Sequence, residues 1–412
     1  MGRKCKVIKE LHPLTQSQVK IADKPLDLDQ FITTSDTPAP ELISPAQMAS
    51  VDAEALAQVG VFVGEEARSG TFVLRDFSPL CAMTHTEGLE LLPIAVALEM
   101  YPWLREEYYW KAVSADMDEI TARCASQPEP QGYFVRVKRG TKIPFPVQAG
   151  LYIAHGGIAQ AVHNIVLLEE DTELHLITGC VTGRDVKRGI HFAVSEQYIG
   201  KNAAFTNSMI HSWGPEVTVR PRAGTLVEAG GTFVSNYISL RPAGDIQSNP
   251  RTWLNGEGAS AKYLTIILGS DGSHIVTGGE VYLNAEDTSA ELCHRGVCTG
   301  GRMYQKGLLV GNAKCRAHID CAGMLLDPGE DGFIVSIPGL KAMHPDAQMS
   351  HEASIGKIAP EQIQYLQARG IEEREAISMI IRGFLDADIE GLGPELDARI
   401  AEIVELAGHG EA

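Results

Sequence analysis

The chain has no apolar run long enough to cross a bilayer. Its longest, Leu89 to Met100, is broken by Glu90, Pro93 and Glu99 and falls short of the ~20 apolar residues a helical span needs. It has no secreted disulfide framework either: eight cysteines are scattered over 412 residues. The N-terminal "MGRKCKVIKE" is basic but lacks the apolar core of a signal peptide, which points to a tail and to reduced thiols in a cytoplasm. No myristoylation signal survives, because Lys6 stands where Ser or Thr is wanted. Phosphate chemistry is missing as well. Without a G-x-x-x-x-G-K-[ST] loop, any ATP must be bound by another protein. No G-x-S-x-G elbow occurs, and His351-Glu352 is followed by Ile355 where a zinc peptidase needs its second histidine. Positive charge is scarce. Against 53 acidic residues there are 35 basic ones, a net charge of -18, which repels nucleic-acid backbones and anionic membrane surfaces.

What the chain does contain is short β-like runs. Residues 1-43 are polar and read as an extended lead. Residues 44-131 read as a helical region: Ser44 caps, Pro45 opens and Gly60 stops one helix, and a second helical stretch runs from about Gly88 to Cys124. From 132 to 345 come "YFVRV", "LYIA", "VHNIVLL", "LHLIT", "GIHFAV", "VTVR", "GTFVSNYISL", "KYLTIIL", "HIVTGGEVYL" and "GLLV", punctuated by Gly, Asp, Asn and Ser. A sandwich, a barrel and a parallel solenoid all remain open on this pattern. Two-residue hairpin turns are few and no strict repeat is visible. "GEGASA", Gly256 to Ala261, imitates a dinucleotide fingerprint but precedes the strand-like "KYLTIIL" and not a helix. Residues 346-412 return to helix. Pro360 opens one that Gly370 stops, Ile377, Ile380, Ile381 and Phe384 form an amphipathic stripe, and a third helix is expected from about Pro394 to Ala407. Such a stripe packs on its own core or docks a partner.

The densest group of soft ligands is Cys293, Cys298, Cys315 and Cys321, with His294 and His318 among them and His351 and Glu352 just beyond. Thiolates hold zinc, Cu(I) and iron-sulfur clusters, and imidazole or carboxylate can complete such sites. Paired C-x-x-C knuckles are absent, so a zinc finger is not favoured. "CRAHIDC" supplies a C-x2-H-x2-C candidate, whereas Cys293 and Cys298 read better as inert core thiols.

Three stretches, "QAGLYIAHGGIAQAVHNIVLLEEDTELHLITGC", "CAGMLLDPGEDG" and "SHEASIGKIAPEQIQYLQARGIEEREAISMIIRGFL", together resemble the SufB/SufD family of iron-sulfur cluster assembly scaffolds, and most of all the SufB-type subunit of minimal, two-component archaeal systems. The resemblance implies a mainly β fold, a right-handed parallel β-helix flanked by N-terminal and C-terminal helical regions. It implies a non-catalytic scaffold for a labile [2Fe-2S] or [4Fe-4S] cluster, a homodimer formed through the β-helix, and apo iron-sulfur proteins as recipients. It also implies a SufC-like ABC-type ATPase docked on the C-terminal helices through Ile377, Ile380, Ile381 and Phe384. Cys321 matches the family cysteine that holds the nascent cluster, and His351 and Glu352 match the histidine and acid of its "EHEA" motif. Ser350 departs from that motif, removing one carboxylate. Cys180 matches a sulfur-accepting cysteine, although a minimal system can take sulfide directly.

Cys321 and Glu352 are 31 residues apart. With ~4.8 Å between neighbouring strands, one or two coils of such a helix would separate them by ~5 to 10 Å, close enough to face one site. A twofold dimer would present the pair twice. A carbohydrate-active β-helix enzyme is the rival expectation; it would need a groove of Asp, Lys and Arg on one sheet.

Overall fold

The computed structural model describes residues 26–34, 41–63, 67–241, 243–326, 329 and 332–385. The expected parallel β-helix forms, a solenoid of about seven turns with helices toward both ends. Successive coils pair in parallel to build two facing sheets of ten and eleven strands. Side chains alternate across each strand, so every second residue enters the lumen. Phe205 and Phe233, register partners on adjacent coils, stack inside with ring centroids 5.7 Å apart. Their file continues through Ala261, Ala290 and Ala317 to Met349.

The coils are held in register at their corners. Asp171, Asn202, Gly230, Gly258 and Asp287 all have positive φ, and each donates its backbone N–H to a carbonyl of the following coil. Glycine adopts this conformation freely, and Asn and Asp tolerate it. The same turns carry an amide ladder, Asn312 donating to Asn284 at 2.7 Å and Asn284 to Asn255 at 2.8 Å. These corners are the repeat that the sequence conceals: the position is constant, but its occupant changes among Asp, Asn and Gly. The glycines of "GEGASA" belong here. A Cβ on Gly256 would lie 1.9 Å from the Ala229 nitrogen of the preceding coil, so this glycine admits close coil stacking and binds no dinucleotide.

Two expectations about element content change. The stretch 44–131 is not helical throughout, since it contains strands Gly70–Arg75, Ser78–Thr84 and Leu89–Pro93. "GTFVLR" is buried at nearly every position, so it shows none of the alternation that marks a half-exposed strand. The first two pair antiparallel and the third pairs antiparallel with Tyr133–Val137, closing the N-terminal end of both sheets. At the other end, Ala347–Gly356 is not a prelude to helices. It is the terminal strand of the ten-stranded sheet. The helix expected over 394–407 lies outside the described residues.

Helices Ile94–Met100, Pro102–Glu107 and Glu119–Ala125 cover the outside of the eleven-stranded sheet. Their anchor is Glu196, fully buried, whose carboxylate accepts backbone N–H bonds from Trp110, Lys111, Ala112 and Val113 at 2.6 to 3.1 Å. His163 Nε2 lies 2.7 Å from the same carboxylate. Four backbone donors let a buried anion dispense with water.

Corner geometry yields a paired test. Gly256→Ala should cost ~2 kcal/mol or more, because the clash is with backbone. Gly258→Asn should be nearly neutral, since nothing lies within 4 Å of its Cβ and Asn202 already holds the equivalent corner. Urea denaturation of both variants checks this, and equal midpoints would contradict it.

Candidate metal centre at the open end of the solenoid

Strand Cys315–Leu325 pairs in parallel with Thr288–Cys298 on one side and Ala347–Gly356 on the other. Paired residues point the same way, so the register decides what shares a site. Cys321 is a member of the lumen core and is fully buried. Its register partners are His294 and Ala353. Glu352 pairs instead with Asp320, which belongs to the outward set. Cys321 and Glu352 are therefore one coil apart, within the expected one or two, but the two residues face opposite sides of the sheet within one chain. Residue counting fixed the coil; odd-even parity, which it ignored, fixed the face.

His351 pairs with Ile319 and has the lumen parity, yet it is exposed, since among the described residues no further coil of the ten-stranded sheet covers it. Ser350 pairs with His318, whose Nδ1 lies 2.8 Å from the Ser350 hydroxyl. The same parity dissolves the C-x2-H-x2-C candidate: Cys315 and Cys321 both enter the core, six residues or ~20 Å apart along the strand, while His318 points out. Among the described residues, no group of three or more His, Cys, Asp or Glu side chains is placed to hold a metal ion.

The remaining thiols differ from one another. Cys298 is buried, as read from the sequence, and its Sγ lies 2.9 Å from the Gly300 carbonyl. Cys293 is not a core thiol. It is half-buried on the outer face, 3.6 Å from a Glu291 oxygen, and its register partner Asp320 is paired with Arg295 at 2.5 Å. Cys293, Asp320 and Glu352 thus form an outward file over three coils. A polar groove runs beside it, lined by Lys262, Glu291, Arg316, His318 and Ser350.

Cys180 sits in the lumen, 1 % exposed, with His211 as its register partner on the next coil. The strand containing Cys321 follows five coils later in the sheet, ~24 Å along the axis, so the two thiols do not share a site. Polar lumen residues lie between them. His211 Nδ1 is 3.1 Å from the Tyr237 hydroxyl, and Tyr237, Thr265, His294 and Cys321 follow one another in a single register file. Burial pushes the Cys321 thiol up to about 12 and the Cys180 thiol higher still. Both are protonated and unreactive while enclosed.

The stripe read as a partner face is occupied by the chain itself. Helix Glu373–Leu385 packs on the outside of the ten-stranded sheet, with Ile381 and Leu385 fully buried and Ile377, Ile380 and Phe384 partly so. Its exposed apolar residue is Met379, 49 % accessible, and Tyr365 on the neighbouring helix Pro360–Gln367 is 58 % accessible. No helix among the described residues is long and apolar enough to cross a membrane.

A family model described as "SUF system FeS cluster assembly, SufBD core domain" matches residues 151–384. The chain is 39 % identical over 387 residues to an iron-sulfur cluster assembly SufBD family protein of Methanothermobacter thermautotrophicus, covering 93 % of this chain and 94 % of that one. It is 39 % identical to a protein of the same description from Archaeoglobus fulgidus, over 87 % of this chain and 95 % of that one. The iron-sulfur cluster assembly protein SufB of Bacillus subtilis is 26 % identical, over 73 % of this chain and 65 % of its own length. With the solenoid, its terminal strand and this likeness in hand, the chain belongs to the SufBD family of iron-sulfur cluster assembly proteins.

Proposed function

We propose that the protein is a scaffold on which an iron-sulfur cluster, its cargo, is assembled and from which it is passed to apo proteins. The supporting observation is the position of Cys321, one coil from the unpaired edge of the ten-stranded sheet, beneath the strand that carries His351 and Glu352. A cluster takes four protein donors, and a thiol facing in with a carboxylate facing out does not make a cage within one chain. A second copy meeting the first at this open end would repeat the set about a twofold axis. Soft sulfur from Cys321 and hard oxygen from Glu352 would then bracket the cargo, with His351 as a further donor or a support. The carboxylate holds more weakly than a fourth thiolate, which suits a protein that must release its product. Cys180, enclosed in the lumen five coils before Cys321, is the candidate acceptor of incoming sulfur.

Anaerobic reconstitution with ferrous iron and sulfide tests the site. Cys321→Ser and Glu352→Ala should each lose most of the cluster absorbance while keeping the thermal midpoint within a few degrees. Normal cluster spectra in both variants would refute it.

Energy for opening the enclosed thiols would come from an ABC-type ATPase, since this chain has no phosphate-binding loop. Its docking surface is the exposed side of the two C-terminal helices, around Tyr365 and Met379, because Ile381 is already committed to the chain's own core. Met379→Asp should abolish co-purification with the ATPase without loss of stability; undiminished co-purification would count against this surface. A carbohydrate-active enzyme is not favoured, since the family is one of cluster assembly.

A further inference from the structure

His294 is the one buried histidine among the described residues with neither ring nitrogen partnered. The other lumen histidines each have a neighbour: His191 Nδ1 lies 2.9 Å from the Gln160 amide oxygen and His211 Nδ1 3.1 Å from the Tyr237 hydroxyl. His294 is 1 % exposed. An imidazole so placed forfeits ~1 to 3 kcal/mol for each buried polar atom left without a partner, and such an orphan calls for a ligand. Nearby polar groups do not supply one. Gln305, on the facing sheet, is satisfied by the Ala322 carbonyl at 3.2 Å and the Ser336 hydroxyl at 3.1 Å.

The residue opposite His294 in the ladder is Cys321. Both face the lumen and both are buried. In-register parallel neighbours stand ~4.8 Å apart at the backbone, and donors to one metal at ~2.0 to 2.3 Å need side-chain atoms within ~4 Å of each other. The register is compatible with both donors reaching one metal. Thiolate and imidazole are both ligands that iron accepts, and histidine replaces cysteine in some iron-sulfur centres. We propose that His294 is a protein ligand to the iron assembled at Cys321, so that the inner face of this coil offers an adjacent sulfur and nitrogen pair. This rests on the scaffold reading and adds to it: the donor sharing a face with Cys321 is His294, whereas Glu352 reaches the cargo only from the terminal strand.

Pulsed electron paramagnetic resonance of the full chain tests the assignment. The protein is loaded anaerobically with ferrous iron and sulfide, reduced with dithionite, and compared with the same chain carrying 15N-labelled histidine. An isotope-sensitive nitrogen coupling is expected in the wild type and in His344→Gln and His318→Gln, neither of which alters a buried residue. The coupling should vanish in His294→Gln. A loaded wild-type cluster with no histidine coupling, or a coupling lost in either control variant, would overturn the ligand assignment while leaving the scaffold reading intact. A loaded wild-type cluster without the isotope effect overturns the assignment even where His294→Gln does not fold. A wild-type chain that takes up no cluster would overturn both.

Discussion

In a stacked parallel sheet each residue sits opposite one residue of the next coil, and the pair shares a face. That constraint governs which side chains of neighbouring coils can meet. It carries Cys321 inward with His294 and sends Glu352 outward with Asp320 and Cys293. Spacing in sequence therefore measures how many coils separate two residues, but parity determines whether they can meet. A site that needs both Cys321 and Glu352 must be completed at an edge, where a strand ends the sheet and a second surface can approach.

Among the described residues, the C-terminal end of the solenoid supplies such an edge on a parallel strand. Antiparallel strands close the N-terminal end of both sheets, while Ala347–Gly356 leaves the ten-stranded sheet open. Exposed apolar residues accumulate nearby, among them Leu340, Met343 and Ile355. An unpaired edge beside apolar surface is a template for association. The same end holds the buried thiol and the orphaned imidazole, within one coil of the terminal strand. Burial pushes the Cys321 thiol up to about 12, so it stays protonated while enclosed.

Much of the fold was readable because its central strands are rich in Val, Ile, Phe and Tyr. "VHNIVLL", "GIHFAV" and "KYLTIIL" all lie inside strands. Several of the unread strands carry polar residues at their lumen or outer positions. "AFTNSMIHS", "TSAELCHRGVC" and "CRAHIDCAGML" scatter His, Asn, Ser and Cys through their length, and a hydrophobicity pattern cannot see a wall whose inner face is partly polar. The corner repeat escaped for a related reason. Its requirement is a positive φ, which Asp171, Asn202 and Gly230 meet with three different side chains. The site residues Cys321, His351 and Glu352 came from resemblance to the family motif. His294 could have been found from the sequence by aligning "ELCHRG" with "HIDCAG" at a coil length of 27 residues, once the coil length was known. Cys293 was misjudged because buried thiols are the commoner kind, and only parity reveals that it faces out.

The account turns on where iron sits. An anaerobic crystal of the loaded protein, phased for anomalous scattering at the iron edge, locates it directly. The account predicts a peak within bonding distance of Cys321 at the open end of the solenoid, on or beside the twofold axis relating two chains. Iron elsewhere, at Cys180 or in the outward file through Cys293, with Cys321 still enclosed and unliganded, would contradict it.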